Sequence, residues 1–345
     1  MTSHSPSTSH YNVVEDTVLD ANPETSSFPL IPLVRHESSG PNSSFKDGIQ
    51  FAWDSTSLGT YKTCPRKYYY EMVVGWNFKL MPPALAYGIA IHLVFQTWHQ
   101  LLALGMEKEV ALLRCVKLAG LLGEHLPSGD TARRKEQLVR AVVWYLDQFW
   151  NDPAETVILS SGKAAVEYSF TLPLFEWKGS NGPLDVYLCG HIDRFCKWNG
   201  RVLAADYKTS KYQLDQKFFA NFKPVTQFPI YVTAAHIIAA ETQELASTDG
   251  ILLDGIQVGV NFNRYNRAVI PFSPEEINEY IVGLEYWISQ AMTSCETGYF
   301  PANEESCSKY AGCHFRDICN KPPARREAYL NGHFMKRTWD PLRSR

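Results

Sequence analysis

Asp206, Tyr207 and Lys208 close an apolar run, Arg201-Val-Leu-Ala-Ala-Asp206, thirteen residues after Asp193. An acid and a lysine two residues apart on a strand point to one face. A second acid placed beside them makes a seat for a hard divalent cation. Mg²⁺ or Mn²⁺ takes carboxylate oxygens, retains several waters and can activate one of them against a phosphate. Lys208 can orient that water or stabilise the developing negative charge. Asn199-Gly200, six residues from each acid, is a strong tight-turn signal. A hairpin closed there brings Asp193 and Asp206 together.

Other residues can join this centre. Glu167 lies on the preceding strand pattern, as a further ligand or a water-positioning base. His92 is a candidate ligand through its neutral imidazole. Gln227 and Tyr231, four apart on one helical face, can hold a substrate phosphate or the lysine.

The cysteines form a frame around these residues. Cys64 stands in front, and Cys307, Cys313 and Cys319 stand behind with five residues between neighbours. Four thiolates suit tetrahedral zinc or the corners of an iron–sulfur cluster, and they would tie the front of the domain to its end. Zinc sites commonly contain a close Cys-x-x-Cys pair, which is missing here, although His314 can replace one thiolate. Cys115, Cys189, Cys196 and Cys295 lie in apolar or strand patterns and read as core.

Elements to position these groups follow from periodicity. Residues 1–48 are rich in Ser, Thr, Pro and Asn and read as a disordered arm, with Phe28–Val34 a short apolar stretch inside it. Ser55 or Ser57 can cap a helix running to Tyr70. Helical patterns cover about 85–104, 107–123 and 131–150, forming a helical part at about 84–150 that ends at Asn151-Asp152-Pro153. Strand patterns follow at 164–172, 185–198 and 201–207, then a helix at about 223–245, strands at 251–262 and 267–271, and a helix at 274–295. This order predicts an α/β fold, a mixed sheet flanked by helices with a helical insertion near the front. The catalytic sheet spans about 157–271, the cysteine segment 296–322, and a basic tail 323–345.

The chain has 345 residues, is 45% hydrophobic, and carries a formal net charge of −3. It is not a basic DNA coat; contact with nucleic acid must rest on a local patch and on bound cations. Lys62, Arg66, Lys67 and Tyr68, followed by Tyr69 and Tyr70, mix cations with aromatics. Such a surface can hold phosphates and stack bases of a single strand, or its tyrosines can be core beneath a solvated face of cations. Neither a secretory signal nor a run of eighteen apolar residues is visible, which predicts a cytoplasmic protein with no membrane contact.

The ordered set Gly88 and His92, Gly190 and Asp193, Asp206 and Lys208, then Gln227 and Tyr231 resembles the RecB-like branch of the PD-(D/E)XK nuclease superfamily. Ser57-Leu58-Gly-Thr-Tyr61-Lys-Thr-Cys64-Pro65-Arg66-Lys67-Tyr68 is similar to the front segment of that branch. The likeness spans roughly 53–322, within a nuclease domain drawn at 49–322. It implies a restriction-endonuclease-like sheet closed by a C-terminal cysteine-cluster cap. It implies that His92, Asp193, Asp206 and the Tyr207 carbonyl hold Mg²⁺ or Mn²⁺, that Lys208 is the catalytic lysine, and that Glu167 matches an acid some members place on the strand before. Cys64, Cys307, Cys313 and Cys319 are then expected to bind a 4Fe–4S cluster, with zinc the alternative. Ile192 stands before Asp193 where the superfamily pattern has proline. The expected activity is hydrolysis of DNA at or near ends, in recombination, repair or processing of phage or CRISPR-type DNA, alone or recruited by a helicase, recombinase or other partner. The alternatives are a non-catalytic DNA-end-binding scaffold and an RNA-processing nuclease.

Overall fold

The computed structural model describes residues 44–342, apart from 224, 243, 244, 246, 247 and 309–311. The arm expected at 1–48 therefore lies outside the described residues up to 43. From 44 onward the chain is ordered, because β1 (Phe45–Lys46) and β2 (Ile49–Gln50) close a small hairpin through Asp47-Gly48, both at positive φ. β3 (Ala52–Trp53) follows, then α1 (Ser55–Thr63). The cap of α1 is Asp54 rather than Ser55 or Ser57. Its carboxylate accepts from Ser57 N at 3.0 Å, and Ser57 Oγ reaches back to the Asp54 N–H, a reciprocal capping box. The helix expected to run to Tyr70 breaks at Cys64, whose extended backbone is favoured before Pro65. α2 (Pro65–Tyr68) and a π turn at Tyr69–Val73 then lead to β4 (Trp76–Phe78).

The helical insertion consists of α3 (Pro83–Ala103), α4 (Lys108–Glu124) and α5 (Lys135–Gln148). β5 (Glu155–Thr156), β6 (Val166–Gly179), β7 (Gly182–Trp198) and β8 (Arg201–Ser210) build the antiparallel half of the sheet. α6 (Gln216–Ala220) is a short helix that was not expected, and α7 (Gln227–Thr242) lies within the stretch expected as a helix at about 223–245. β9 (Gly250–Val258) and β10 (Asn263–Pro271) complete the sheet, and α8 (Pro274–Thr297) follows. The segment 323–345 was expected as a tail. Instead, after α9 (Arg316–Cys319), its described residues form α10 (Pro323–His333) and β11 (Phe334–Lys336), which pairs with β4. The apolar Leu330 and Phe334, buried against Tyr70, Trp76, Phe315 and Ile318, hold it down.

The seven-stranded sheet runs β10-β9-β8-β7-β3, with β5 and β6 also on β7. β8 and β9 are parallel; β6–β7, β7–β8 and β9–β10 are antiparallel. One face packs on α1, α7 and α8 through residues such as Trp53, Leu58, Phe228 and Ile288. The other packs on α3, α4 and α5 through Tyr87, Phe95, Leu138, Tyr145 and Tyr207. The mixed, helix-flanked sheet is thus the one predicted. Among the described residues no helix is long and apolar enough to cross a membrane.

Behind Tyr207 the second core contains a polar knot. Arg267 donates to Asp254 at 2.7 Å, to both oxygens of Asp152 at 2.6 and 3.0 Å, and to Tyr145 OH at 2.7 Å. Arg194 is fully buried, donates to Ala154 O and lies against the Tyr207 ring. His99 Nε2 sits 3.0 Å from Tyr207 OH and its Nδ1 2.8 Å from Thr156 Oγ1. Burial first, then Arg194 and Arg267, hold its pKa well below 6.5.

Two outcomes are expected. Arg267→Ala leaves the buried Asp254 carboxylate without its ion-pair partner, with Asp152 left to Arg194 at 3.7 Å, and costs about 3–5 kcal/mol in urea unfolding. His99 stays neutral in the folded chain while the unfolded chain protonates it below 6.5. Stability therefore falls with pH below that point, by up to about 1.4 kcal/mol per unit, and His99→Gln makes the slope shallower in denaturant titrations between about pH 7.5 and 5.5.

Candidate active site

The turn at Asn199 and Gly200, with φ of 51° and 75°, is the type I′ geometry that two-residue hairpins favour. It sets the register Trp198↔Arg201 through Arg194↔Ala205, and there the ladder stops. The next residues along are Asp193 and Asp206. On the same side of β7, β3 pairs only with Tyr187 and Leu188. The stretch from 189 to 193 thus has no named strand on that side, and the two acids stand at the parting of β7 from β8.

On its other side, β7 pairs with β6 at Val166↔Arg194 and Tyr168↔Ile192, which puts Glu167 opposite Asp193. Glu167 is buried and has φ of 46°, a left-handed conformation that costs of order 1–3 kcal/mol for a residue with a Cβ. Gly190 is explained by packing: a Cβ there would lie 3.0 Å from the Phe170 ring. Gly88 brings α3 close to β8, since its Cβ position is 3.9 Å from Thr209 Oγ1.

His92, from α3, reaches both strands. Its Nδ1 is 3.2 Å from Asp193 Oδ2 and its Nε2 is 2.9 Å from Tyr207 O. Both partners are acceptors, so the doubly protonated ring satisfies both. Burial opposes that charge, but the Asp193 carboxylate overrides it and raises the His92 pKa to about 9. Burial likewise works against ionised Asp193, and the His92 charge outweighs it and holds the carboxyl low. The same carboxylate accepts from Tyr207 N at 3.1 Å.

Asp206 is completely buried. Burial raises its pKa to about 6, with Lys208 opposing and Asp193 adding to the rise. Lys208 Nζ lies 2.5 Å from its Oδ2. Gln227, the first residue of α7, acts as a clasp: its Oε1 accepts from Lys208 at 3.1 Å, and its Nε2 donates to Asp206 at 3.1 Å and to Tyr231 OH at 2.7 Å.

His92, Glu167 and Asp193 offer ligand atoms that all lie within 4.8 Å of one another. Octahedral Mg²⁺ with bonds of about 2.0–2.1 Å spans roughly 4.2 Å between opposite ligands. Two carboxylates facing one another across a sheet also repel unless a cation lies between them. The donor set therefore fits a hard divalent ion.

A family model describing the PD-(D/E)XK nuclease superfamily matches residues 53–320. The chain belongs to the PD-(D/E)XK nuclease superfamily. It is also similar to an exonuclease candidate from Eubacterium rectale, at 11% identity and a TM-score of 0.44, over 81% of this chain and 92% of that one. A second solved structure, SSO0001, is similar at 13% identity and a TM-score of 0.29, over 90% of this chain and 95% of that one. No curated protein matches the chain. Nucleases of this superfamily usually use divalent metals and act on DNA, and the acidic centre is a candidate metal site.

The remaining expected residues fall into two groups. Cys64, Cys307, Cys313 and Cys319 gather in the cap formed by the end of α1, the Cys307 loop and α9. Cys313 N donates to Cys307 O, and the Cys313 and Cys319 thiols are raised by burial and by neighbouring sulfurs, Cys64 among them. His314 turns instead to Glu71, 2.8 Å away. Of the surface expected to meet nucleic acid, Tyr68 is a correction: it is 0% exposed and stacked on Trp53, because its flat apolar ring fills the core beneath α1. Arg66 donates to Phe300 O, Lys67 pairs with Glu71 at 3.8 Å, and Lys62 reaches Thr226. Sequence reasoning missed His191, two residues before Asp193 on the same face and 2.7 Å from Ser169 Oγ. Strand alternation was the signal for it. It also missed the Arg194–Arg267 knot, whose partners are scattered over 100 residues.

Removing donors is expected to show in Mn²⁺ calorimetry. Asp193→Asn and Glu167→Gln each weaken binding at least about tenfold, whereas Gln227→Ala, which only orients Asp206 and Lys208, has a milder effect of about tenfold at most.

Proposed function

We propose that this chain is a Mg²⁺- or Mn²⁺-dependent deoxyribonuclease that hydrolyses phosphodiester bonds at or near DNA ends. The observation that carries the reading is the convergence of His92, Glu167 and Asp193 within 4.8 Å beside the Asp206–Lys208–Gln227 clasp. His92, Asp193, Asp206 and the Tyr207 carbonyl are the groups that would hold the metal, with Glu167 a further ligand or a base. A divalent ion there supplies an activated water and charge neutralisation on the phosphate. Lys208 places its ammonium where negative charge grows during attack. Gln227 keeps that ammonium in line, and Tyr231 fixes the amide of Gln227. Work at strand ends agrees with a centre recessed at the parting of two strands beneath α3, and the setting we favour is recombination, repair or processing of phage or CRISPR-type DNA, alone or with a helicase or recombinase.

In the same reading, Cys64, Cys307, Cys313 and Cys319 of the cap would hold a 4Fe–4S cluster. Tetrahedral zinc with bonds of about 2.3 Å draws thiolates to roughly 3.8 Å from one another. Without a close Cys-x-x-Cys pair among Cys64, Cys307, Cys313 and Cys319, zinc is the less favoured occupant. The role of the cluster is to fasten Cys64 at the front of the domain to Cys307, Cys313 and Cys319 at its end.

Digestion of end-labelled single- and double-stranded DNA by anaerobically purified protein tests the reading. Wild type should cut with Mn²⁺ or Mg²⁺, and Lys208→Ala should lose about 10²–10⁴-fold in rate while still binding Mn²⁺. Binding without cleavage would point to a scaffold, and preferential cutting of a matched RNA strand would redirect the substrate. Cys313→Ser should lower iron and sulfide content together; zinc in the wild-type protein would replace the cluster assignment.

A further inference from the structure

A cavity of about 410 Å³ opens between α1, α7 and α8, away from the residues assigned to chemistry but beside the first turn of α7. Its walls include aromatic rings. Trp287 is 38% exposed, and Tyr280 and Phe272 line the cavity with it, beside the aliphatic Leu58, Pro229 and Leu284. Each of two lysines stands over a ring: Lys62 Nζ is 5.8 Å from the Trp287 centroid and Lys223 Nζ 5.1 Å from that of Phe272.

The two lysines differ in what holds them. Lys223 is neutralised by Glu276 at 2.7 Å and also donates to Pro271 O. Lys62 has a contact with Thr226 Oγ1 at 3.4 Å, and among the described residues no carboxylate comes within ion-pair distance of it. It is half-buried, and that burial lowers its pKa, so an anion placed against it would restore what desolvation costs. The cavity thus has a neutralised end, where Glu276 and Glu279 repel phosphate, and an end with positive charge to offer.

That second end adjoins the catalytic centre. Thr226 immediately precedes Gln227, the clasp on Asp206 and Lys208. Tyr280 OH donates to Thr226 O at 2.9 Å and fixes this junction to α8. Lys62 also lies two residues before Cys64 in the chain.

We infer that this cavity is a nucleotide subsite for a single-stranded DNA end, with the base stacked on Trp287 and its phosphate on Lys62, next to the phosphate held at the acidic centre. The assignment rests on the deoxyribonuclease reading. An aromatic face with a cation beside it is how proteins hold an unpaired strand without reading its sequence. A base can enter only once it is free of a partner, so the subsite favours single strands or frayed ends. Glu279 at the far wall sets the direction, phosphate towards Lys62 and base edge towards the acids.

The test is anisotropy of a labelled oligothymidylate with full-length, cluster-loaded protein, Ca²⁺ replacing Mg²⁺. Trp287→Ala and Lys62→Ala should each weaken binding about tenfold, and Trp287→Phe should keep most of it. Lys62→Ala should also flatten the salt dependence by about one ion. On a strand whose terminal nucleotide is abasic, Trp287→Ala should have little further effect. Because Trp287 is partly exposed, the variants are expected to melt with wild type. Unchanged binding in both alanine variants, or equal losses on intact and abasic strands, overturns the subsite. So does unchanged binding with altered sedimentation of Trp287→Ala, which would give the cavity to a second copy of the chain. Should wild type neither bind nor cut DNA, the deoxyribonuclease reading falls first and the subsite with it; cleavage by wild type with no effect of the variants removes the subsite alone.

Discussion

Three carboxylates on three neighbouring strands, Glu167, Asp193 and Asp206, must coexist in a buried centre, and most of the surrounding structure answers that repulsion. At an effective dielectric near 20, two such charges about 5 Å apart repel by roughly 3 kcal/mol. Apolar packing cannot screen it. The chain brings in His92 from the insertion, Lys208 from the strand itself, and the amide of Gln227 from α7. Each comes from a different element, so the helices on both faces of the sheet must dock correctly before the acids are tolerated. The centre is electrostatically unsettled by construction, which is what makes a divalent ion welcome in it.

Much of this was readable in the residues. Asn199-Gly200 predicted the hairpin that brings Asp193 and Asp206 to the end of one ladder, because only a few residues accept positive φ at both turn positions. The i, i+4 spacing placed Gln227 and Tyr231 on one helical face, and both turn to the same centre. Other features could not be read. The length of β6 and β7 beyond 172 was missed because their outer halves are half-exposed and lack clean alternation. The C-terminal segment looked like a solubilising tail because arginines are spread along it among short apolar stretches with no long periodic pattern, yet Leu330 and Phe334 are buried and dock it. The front tyrosines mixed with cations could mean surface or core, and tertiary packing put Tyr68 in the core.

The polar knot behind Tyr207 is the counterpart of the acidic centre in front. Tyr207 presents its backbone to Asp193 and His92 on one side and its ring and hydroxyl to Arg194 and His99 on the other. Buried ion pairs of this kind contribute little net stability compared with apolar packing. What they do provide is directional: Arg267 joins β10 to β9 through Asp254 and to the end of the insertion through Asp152, so the helical insertion has one register on the sheet. That register sets the depth at which His92 arrives.

Pairing of β4 with β11 joins the two ends of the described chain; Lys336 Nζ, for one, donates to Val74 O across 262 residues of sequence. On a ribosome, that contact cannot form until nearly the whole protein has emerged. At roughly 5–20 residues per second, the front segment waits on the order of tens of seconds for its partner. During that interval Trp76 and Tyr70 lack the apolar cover that Phe315, Leu330 and Phe334 later provide. Synthesis therefore has a window in which the front end stands without its apolar cover, while every residue of the acidic centre, up to Tyr231, has already been made.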